Sequence, residues 1–351
     1  LSSFPILSSF PIFVVIPDFC CHSRRESASL STHHETIRRR RTLTAHLLLL
    51  AVVIVWGTTF SLVKAALADT TPLLFNLLRM TLAFLVLAAV NFPAMRGIPR
   101  AEVALSALAG LMLALGYQFQ TLGLNHTTPA KAGFITGLVV VFVPLLSAIP
   151  RIAAPNAARP GLATYGGALL AFTGLLLLTT PPGSAQNLFS GLGLGELLCL
   201  ACAIAFAGHL LVIAHAAPRL SARRLGTLQI GFAAAVMLLT LPLGGSPTLH
   251  PTPILWIALA VTAVLATAAA FTIQSWAQQH LPASHTALLF TLEPVFAWLT
   301  SLFFFGERLG TRALVGAALI LGGILLAEFR PGSLNSNPTP HLESIDPPMN
   351  L

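Results

Sequence analysis

The residues best able to do chemistry in this sequence are ionisable side chains set inside apolar runs. Glu293 stands in "TLEPVF" (291–296), within the run from Ala283 to Phe305, and Pro294 follows it at once. A charge at the centre of a bilayer-spanning helix costs about 3 kcal/mol on insertion scales. Proline removes a backbone donor and crowds the carbonyl one turn back, here that of Phe290. Two adjacent penalties call for a reason. A carboxyl that alternates between protonated and ionised forms couples substrate movement to protons; the plainer alternative is a buried Glu bonded to a neighbouring helix. Pro294 also frees a carbonyl that protein or cavity water must satisfy, so the helix is expected to bend there, facing the interior.

Arg79 lies in "LLFNLLRMTLAFL", away from either end of its apolar run. Its charge persists at any accessible pH and needs a carboxylate, carbonyls or an anionic substrate group. An Arg79–Glu293 pair would serve both residues. Asn76, three residues earlier on the same helical face, is placed to share that site. Trp56 falls mid-run in "WGTTF", deeper than the interface where Trp usually sits, which reads as a cavity-facing ring or as core packing. Tyr117, Gln118 and Gln120 share one span, and glutamines at membrane depth bond across helices or to substrate. Gln274 is the counterpart of Gln120 in a later span. His209 reads as a proton carrier or a satisfied core histidine. The candidate substrate pathway is therefore Glu293, Arg79, Asn76, Trp56, Tyr117, Gln120, Gln274 and His209, with Pro294 and Pro144 as candidate helix breaks. Lys64 and Lys131 sit near span ends, where such side chains snorkel, and His126 and His280 are expected to cap helices.

No HExxH, Walker A, GxSxG or paired Cys/His cluster is present. Cys199 and Cys202 have C-x-x-C spacing inside an apolar helix and read as packing. No catalytic residue, metal or cofactor is expected. An enzyme would need convergent nucleophile, base or ligand groups, which the spans do not supply.

These residues must be positioned by membrane-spanning helices. The chain is 55% hydrophobic and only 9% charged, where soluble domains carry about a quarter charged residues. Runs of roughly 20 apolar residues specify helices rather than a barrel. Ten spans are read, at about 45–67, 72–92, 101–122, 128–149, 160–180, 193–214, 225–243, 253–276, 283–305 and 312–329. Residues 1–44, with the doubled hexamer "LSSFPI", form a tail outside the fold, disordered or an extended start, and 331–351 a disordered polar tail. Net charge is +8, but the basic residues are not a nucleic-acid patch. With the N-terminus inside, inner segments hold Arg38 to Arg41, Arg96, Arg100, Arg151, Arg159, Arg219, Arg223, Arg224 and Arg330. Outer segments hold Arg308, Arg312, Lys64 and Lys131. The positive-inside rule then puts both termini in the cytoplasm.

The spans repeat. "YQFQTLGLNHTTPAK" (117–131) aligns with "FTIQSWAQQHLPASH" (271–285), Gln120 on Gln274 and His126 on His280, at an offset of 154. Pro144 of "FVPLL" aligns with Pro294, and "GALLAFTG" (167–174) with "GAALILGG" (316–323), Gly167 on Gly316 and Gly174 on Gly323. The period is five helices. An odd period inverts the second copy, the arrangement in which secondary transporters place a site near mid-membrane between halves. The glycines, seven apart in both copies, read as close helix packing.

The chain resembles the EamA family of the drug/metabolite transporter superfamily over about residues 45–330. The resemblance is carried by "WGTTFSLVKAAL", "TTPAKAGFITGLVVVFVPLL" and "SHTALLFTLEPVFAWLTSLFFFGERLGTRALVGAALILGGILLAE". It implies an all-α polytopic fold of ten helices in two inverted repeats, 45–180 and 181–330, around a central cavity. It also implies cytoplasmic termini in a bacterial inner membrane and export of amino acids, metabolites or drug-like compounds. Glu307 of the "GERL" turn is implied to be a structural loop feature. The first half departs from the pattern: "SAIPRIAAPN" lacks the Gly-Glu turn after Pro144. The expected partners are a small-molecule substrate, membrane lipid and a coupling proton, with no nucleic acid. An uncoupled facilitator, a nucleotide-sugar-like exchanger and a non-transporting scaffold remain as alternatives.

Overall fold

The structure is a computed structural model and describes residues 19–150, 161–180, 192–217, 220–281, 286 and 289–328. The expected C-terminal tail, 331–351, lies outside these residues. The chain divides into two compact units, Leu1–Thr44 and Ala45–Leu351. In the first, the backbone is helical from Phe19, where α1 (Phe19–Ala66) begins. The second unit holds everything discussed below.

Its elements follow the apolar runs. After α1 come α2 (Pro72–Asn91), α3 (Arg100–His126), α4 (Pro129–Thr136), α5 (Val139–Leu146), α6 (Leu162–Thr179), α7 (Leu194–Ala216) and α8 (Ala222–Thr240). Then come α9 (Pro253–Ala260), a π-helical stretch (Val261–Ala269), α10 (Ala270–Ala277), α11 (Glu293–Phe305) and α12 (Thr311–Glu328). Several open with proline in the first turn, where a missing N–H leaves no intrahelical bond unmade. Among the described residues, eight helices are long and apolar enough to cross a membrane, and two shorter apolar helices, Glu293–Phe305 and Thr311–Leu326, follow them. No strand forms there. An isolated bridge, Thr70 with Leu249, stitches the α1–α2 loop to the loop before α9, helped by His250 N–H donating to the Asp69 carbonyl at 2.7 Å.

Three spans are interrupted, and one of the interruptions corrects the sequence reading. Pro144 lies inside α5, so it is not where its span breaks; the break falls at Gly137–Leu138, between α4 and α5. Pro294 does not sit mid-helix either. The backbone turns at Thr291–Leu292 and α11 starts at Glu293, so the proline occupies the first turn. That position tolerates proline, and a carboxylate there faces the positive end of the helix dipole. The third interruption, the π stretch, replaces the middle of the span from Pro253 to Ala277; nothing in "VTAVLATAA" signals it.

Glycines set the closest contacts. A Cβ on Gly174 would lie 2.5 Å from the Gly316 carbonyl oxygen, and one on Gly323 2.5 Å from that of Gly167. The early glycine of each helix faces the late glycine of the other, so α6 and α12 run antiparallel with their backbones in contact. This is the close packing expected of the repeated glycines, crosswise between the two copies. Gly57 seats the start of α11 in the same way: a Cβ there would be 2.5 Å from Phe296 Cβ and 2.8 Å from the Glu293 carbonyl oxygen.

Candidate functional site

A cavity of about 60 Å³ lies inside the second unit, room for several waters and well below the roughly 300 Å³ of a pocket for a drug-sized ligand. Of the eight candidate pathway residues, Trp56, Arg79, Tyr117, Gln120, His209, Gln274 and Glu293 line it; Asn76 does not. Asn76 is fully buried, donating to the Tyr117 carbonyl at 3.0 Å and accepting from the Thr121 hydroxyl at 3.0 Å. It fastens α2 to α3 and so fixes the backbone that carries Tyr117.

Arg79 is 3% exposed. Its Nε donates to Thr267 Oγ1 at 2.8 Å, and its guanidinium carbon lies 4.0 Å from the centre of the Tyr117 ring, a cation–π contact. The expected pair with Glu293 is not formed. The ion pairs among the described residues are Lys131–Glu196 and Arg224–Glu102, and neither involves a cavity residue. Glu293 is 8% exposed, and its carboxylate has no hydrogen-bond partner among the described residues. Gly57 brings α11 against α1, which places this carboxylate in the same cavity as Trp56.

The π stretch bonds two of the lining side chains from behind. Trp56 Nε1 donates to the Ala266 carbonyl at 2.8 Å, and the next residue, Thr267, accepts from Arg79. One widened turn thus orients two cavity-lining side chains. Around them, Trp56 packs against Phe271 and Phe290 at 5.4 Å each, Tyr117 edge-on against Phe206 at 5.2 Å, and His209 edge-on against Phe271 at 5.6 Å. His209 Nε2 lies 2.8 Å from Gln229 Oε1, so it is bonded within the core and lines the cavity at once. Gln274 Oε1 is buried with no hydrogen-bond partner. Gln118 faces α8 instead, donating to Thr240 at 2.8 Å.

A second charged cluster gathers at the C-terminal end of α3. Lys64 Nζ donates to the carbonyls of Leu124, Asn125 and Thr127 at 2.7, 3.2 and 3.1 Å, capping that helix where cations are favoured. Lys131 pairs with Glu196 at 3.9 Å. Glu196 also accepts from the Thr127 hydroxyl at 2.7 Å and the Gly193 N–H at 3.1 Å. Glu307 accepts from the Ala130 N–H at 3.3 Å and from Ser301. Lys64 is thus bonded to backbone at a span end, and Lys131, 30% exposed, keeps one contact with Glu196. The hollow they surround measures about 560 Å³. Near the start of α3, Arg224 donates to the Ala94 carbonyl at 2.8 Å and pairs with Glu102 at 3.4 Å.

Sequence reasoning missed Thr267, Thr121, Thr136 and the ring set Phe206, Phe271 and Phe290, all in or beside the cavity. Threonines and phenylalanines are too common in apolar spans to stand out. The Gly beside Trp56 was the readable clue to a close helix approach.

The apolar helices of this fold are those of a multi-pass membrane protein. The EamA-like transporter family model matches residues 43–180 and 193–329, and the chain belongs to that family, with two copies of its repeat. An uncharacterized transporter of Archaeoglobus fulgidus is 32% identical over 292 residues, 82% of this chain and 87% of the relative. A solved crystal structure superposes with a TM-score of 0.57 at 21% identity, covering 81% of this chain and 96% of the other; at that identity the likeness shows the fold alone.

Proposed function

We propose that the chain is a secondary transporter of small organic metabolites, exporting them by alternating access through the central cavity. One observation carries the reading. Arg79 of the first repeat and Glu293 of the second line one cavity, and no ion pair commits either of them to holding the bundle together. Intramembrane charge held this way is the mark of a substrate or proton pathway. The cavity is small, so loading a metabolite requires the repeats to move apart, as inverted repeats around a midplane site allow. Glu293 supplies the exchangeable proton. Counting α11 and α12 as spans makes ten, five per repeat, and the lysine and arginine bias supports a reading with both termini cytoplasmic, in the bacterial inner membrane that the family resemblance implies.

The test is counterflow in proteoliposomes across metabolite classes, followed by Glu293→Gln in the vesicles that show flux. The expected result is loss of flux driven by a proton gradient in a protein that elutes as wild type on gel filtration. Unchanged proton-coupled transport by Glu293→Gln would remove Glu293 from the mechanism.

A further inference from the structure

We infer that the cavity, once widened as the repeats move apart, is a site for a monocarboxylate with an apolar body, its carboxylate held end-on by the two terminal nitrogens of Arg79. The inference rests on the transport reading above and names the chemical class of the cargo.

Arg79 is a permanent cation in the interior of a membrane protein. Its polar neighbours among the described residues are the Thr267 hydroxyl and the Tyr117 side chain, and neither carries a compensating charge. A buried cation without an opposite charge is strongly unfavourable, and the one carboxylate lining the cavity does not pair with it. The missing partner is therefore an anion that comes and goes. Geometry selects the kind of anion. Thr267 occupies Nε, and the Tyr117 ring covers one face of the guanidinium. The end-on edge of a guanidinium presents two parallel N–H donors, matched to the two oxygens of a carboxylate.

Charge and surroundings narrow it further. Arg79 is the one Lys or Arg side chain lining the cavity among the described residues, and Lys64 is held by three backbone carbonyls. A single guanidinium balances one negative charge and leaves a phosphate dianion half-neutralised. The walls offered to the rest of the ligand are aromatic, from Trp56, Phe206, Phe271 and Phe290. Gln274 Oε1, buried without a donor, gives a hydroxyl or N–H on that body somewhere to bond.

Benzoate and benzamide test this, because they match in size and shape and differ in charge. Binding of each to the purified full-length chain in nanodiscs is measured by tryptophan fluorescence and by calorimetry. The wild type is expected to favour benzoate by at least about 10-fold, the scale of charge-assisted hydrogen bonds. Arg79→Gln should bring the two ligands to parity. Arg79→Lys keeps the charge but loses the fork and should retain only part of the preference, and Thr267→Val, which frees Nε, should lower it a few-fold. These two variants carry the test if Arg79→Gln does not fold. Equal binding of both ligands by the wild type, a benzoate preference that survives in Arg79→Gln, or binding of neither ligand would overturn the inference. The preference is read at equilibrium and needs no flux. It can therefore stand if transport fails, and fail while counterflow of other solutes stands.

Discussion

The two groups of charged side chains in the second unit are handled in opposite ways. At the C-terminal end of α3, Lys64, Lys131, Glu196 and Glu307 are each bonded to backbone, hydroxyl or one another. In the central cavity, Arg79 and Glu293 share a space of about 60 Å³ and do not pair. The larger hollow, about 560 Å³, is at the saturated cluster, so size alone would direct attention to the wrong region. Charge that is fully bonded can change partners only by breaking structure. Charge without a partner lowers stability and is available to cargo, the usual trade between the two.

The largest effect expected from this contrast is on flux. Arg79→Gln should lower carboxylate counterflow by about 100-fold, as two charge-assisted hydrogen bonds are lost. Its melting temperature in the same detergent should stay close to that of the wild type, because the charge makes no ion pair and what is lost is one hydrogen bond to Thr267 and the contact with the Tyr117 ring. A melting temperature several degrees lower, with flux intact, would move Arg79 into the structural group and dissolve the contrast.

Glu196→Ala should do the reverse. It strips the Thr127 hydroxyl, the Gly193 N–H and the Lys131 ammonium of an acceptor at a buried position. The loss should be about 3 kcal/mol, the cost of leaving such groups unmade, read as a lower melting temperature. Flux per folded molecule should stay within about two-fold of wild type, far less than the order of magnitude a 1.4 kcal/mol change in the barrier would give.

How far the sequence could foretell this contrast differs between its two sides. Apolar runs gave helix positions close to most of those observed, because hydropathy is summed over some twenty residues and tolerates local error. The identity of the cavity residues was also legible: polar groups at membrane depth are few, and seven of the eight named line it. The Arg79–Glu293 pair was the wrong inference, because sequence shows that two opposite charges share a membrane but not that Thr267 and Tyr117 hold the cation apart. Pro294 does mark an interruption, one that falls just ahead of it. Proline reports a missing N–H, and a missing N–H is harmless at a helix start, which is where the turn at Thr291–Leu292 puts it. The π stretch left no trace in its composition, since its alanines and threonines suit an α-helix as well.

Lys64→Met should give a smaller loss than Glu196→Ala, about 1 kcal/mol. The three carbonyls it caps sit at a partly exposed helix end, where water can replace the ammonium and solvent screens its charge. The comparison sharpens if Lys64→Met also leaves benzoate binding unchanged, since the lysine would then act on the helix and not on the cargo.

Glu307→Gln is the mildest change and the most searching one. One oxygen, Oε2, accepts from both the Ala130 N–H and Ser301, and an amide oxygen has the two lone pairs needed to keep both bonds. What disappears is the negative charge near the first turn of α4, worth about 0.5 kcal/mol through the helix dipole at a half-exposed position. The melting temperature should barely move, and flux should follow it. If flux fell sharply while the melting temperature held, charge at this end would be acting in the transport cycle, and the cluster would belong with Arg79 and Glu293 as a group that changes partners as the chain opens.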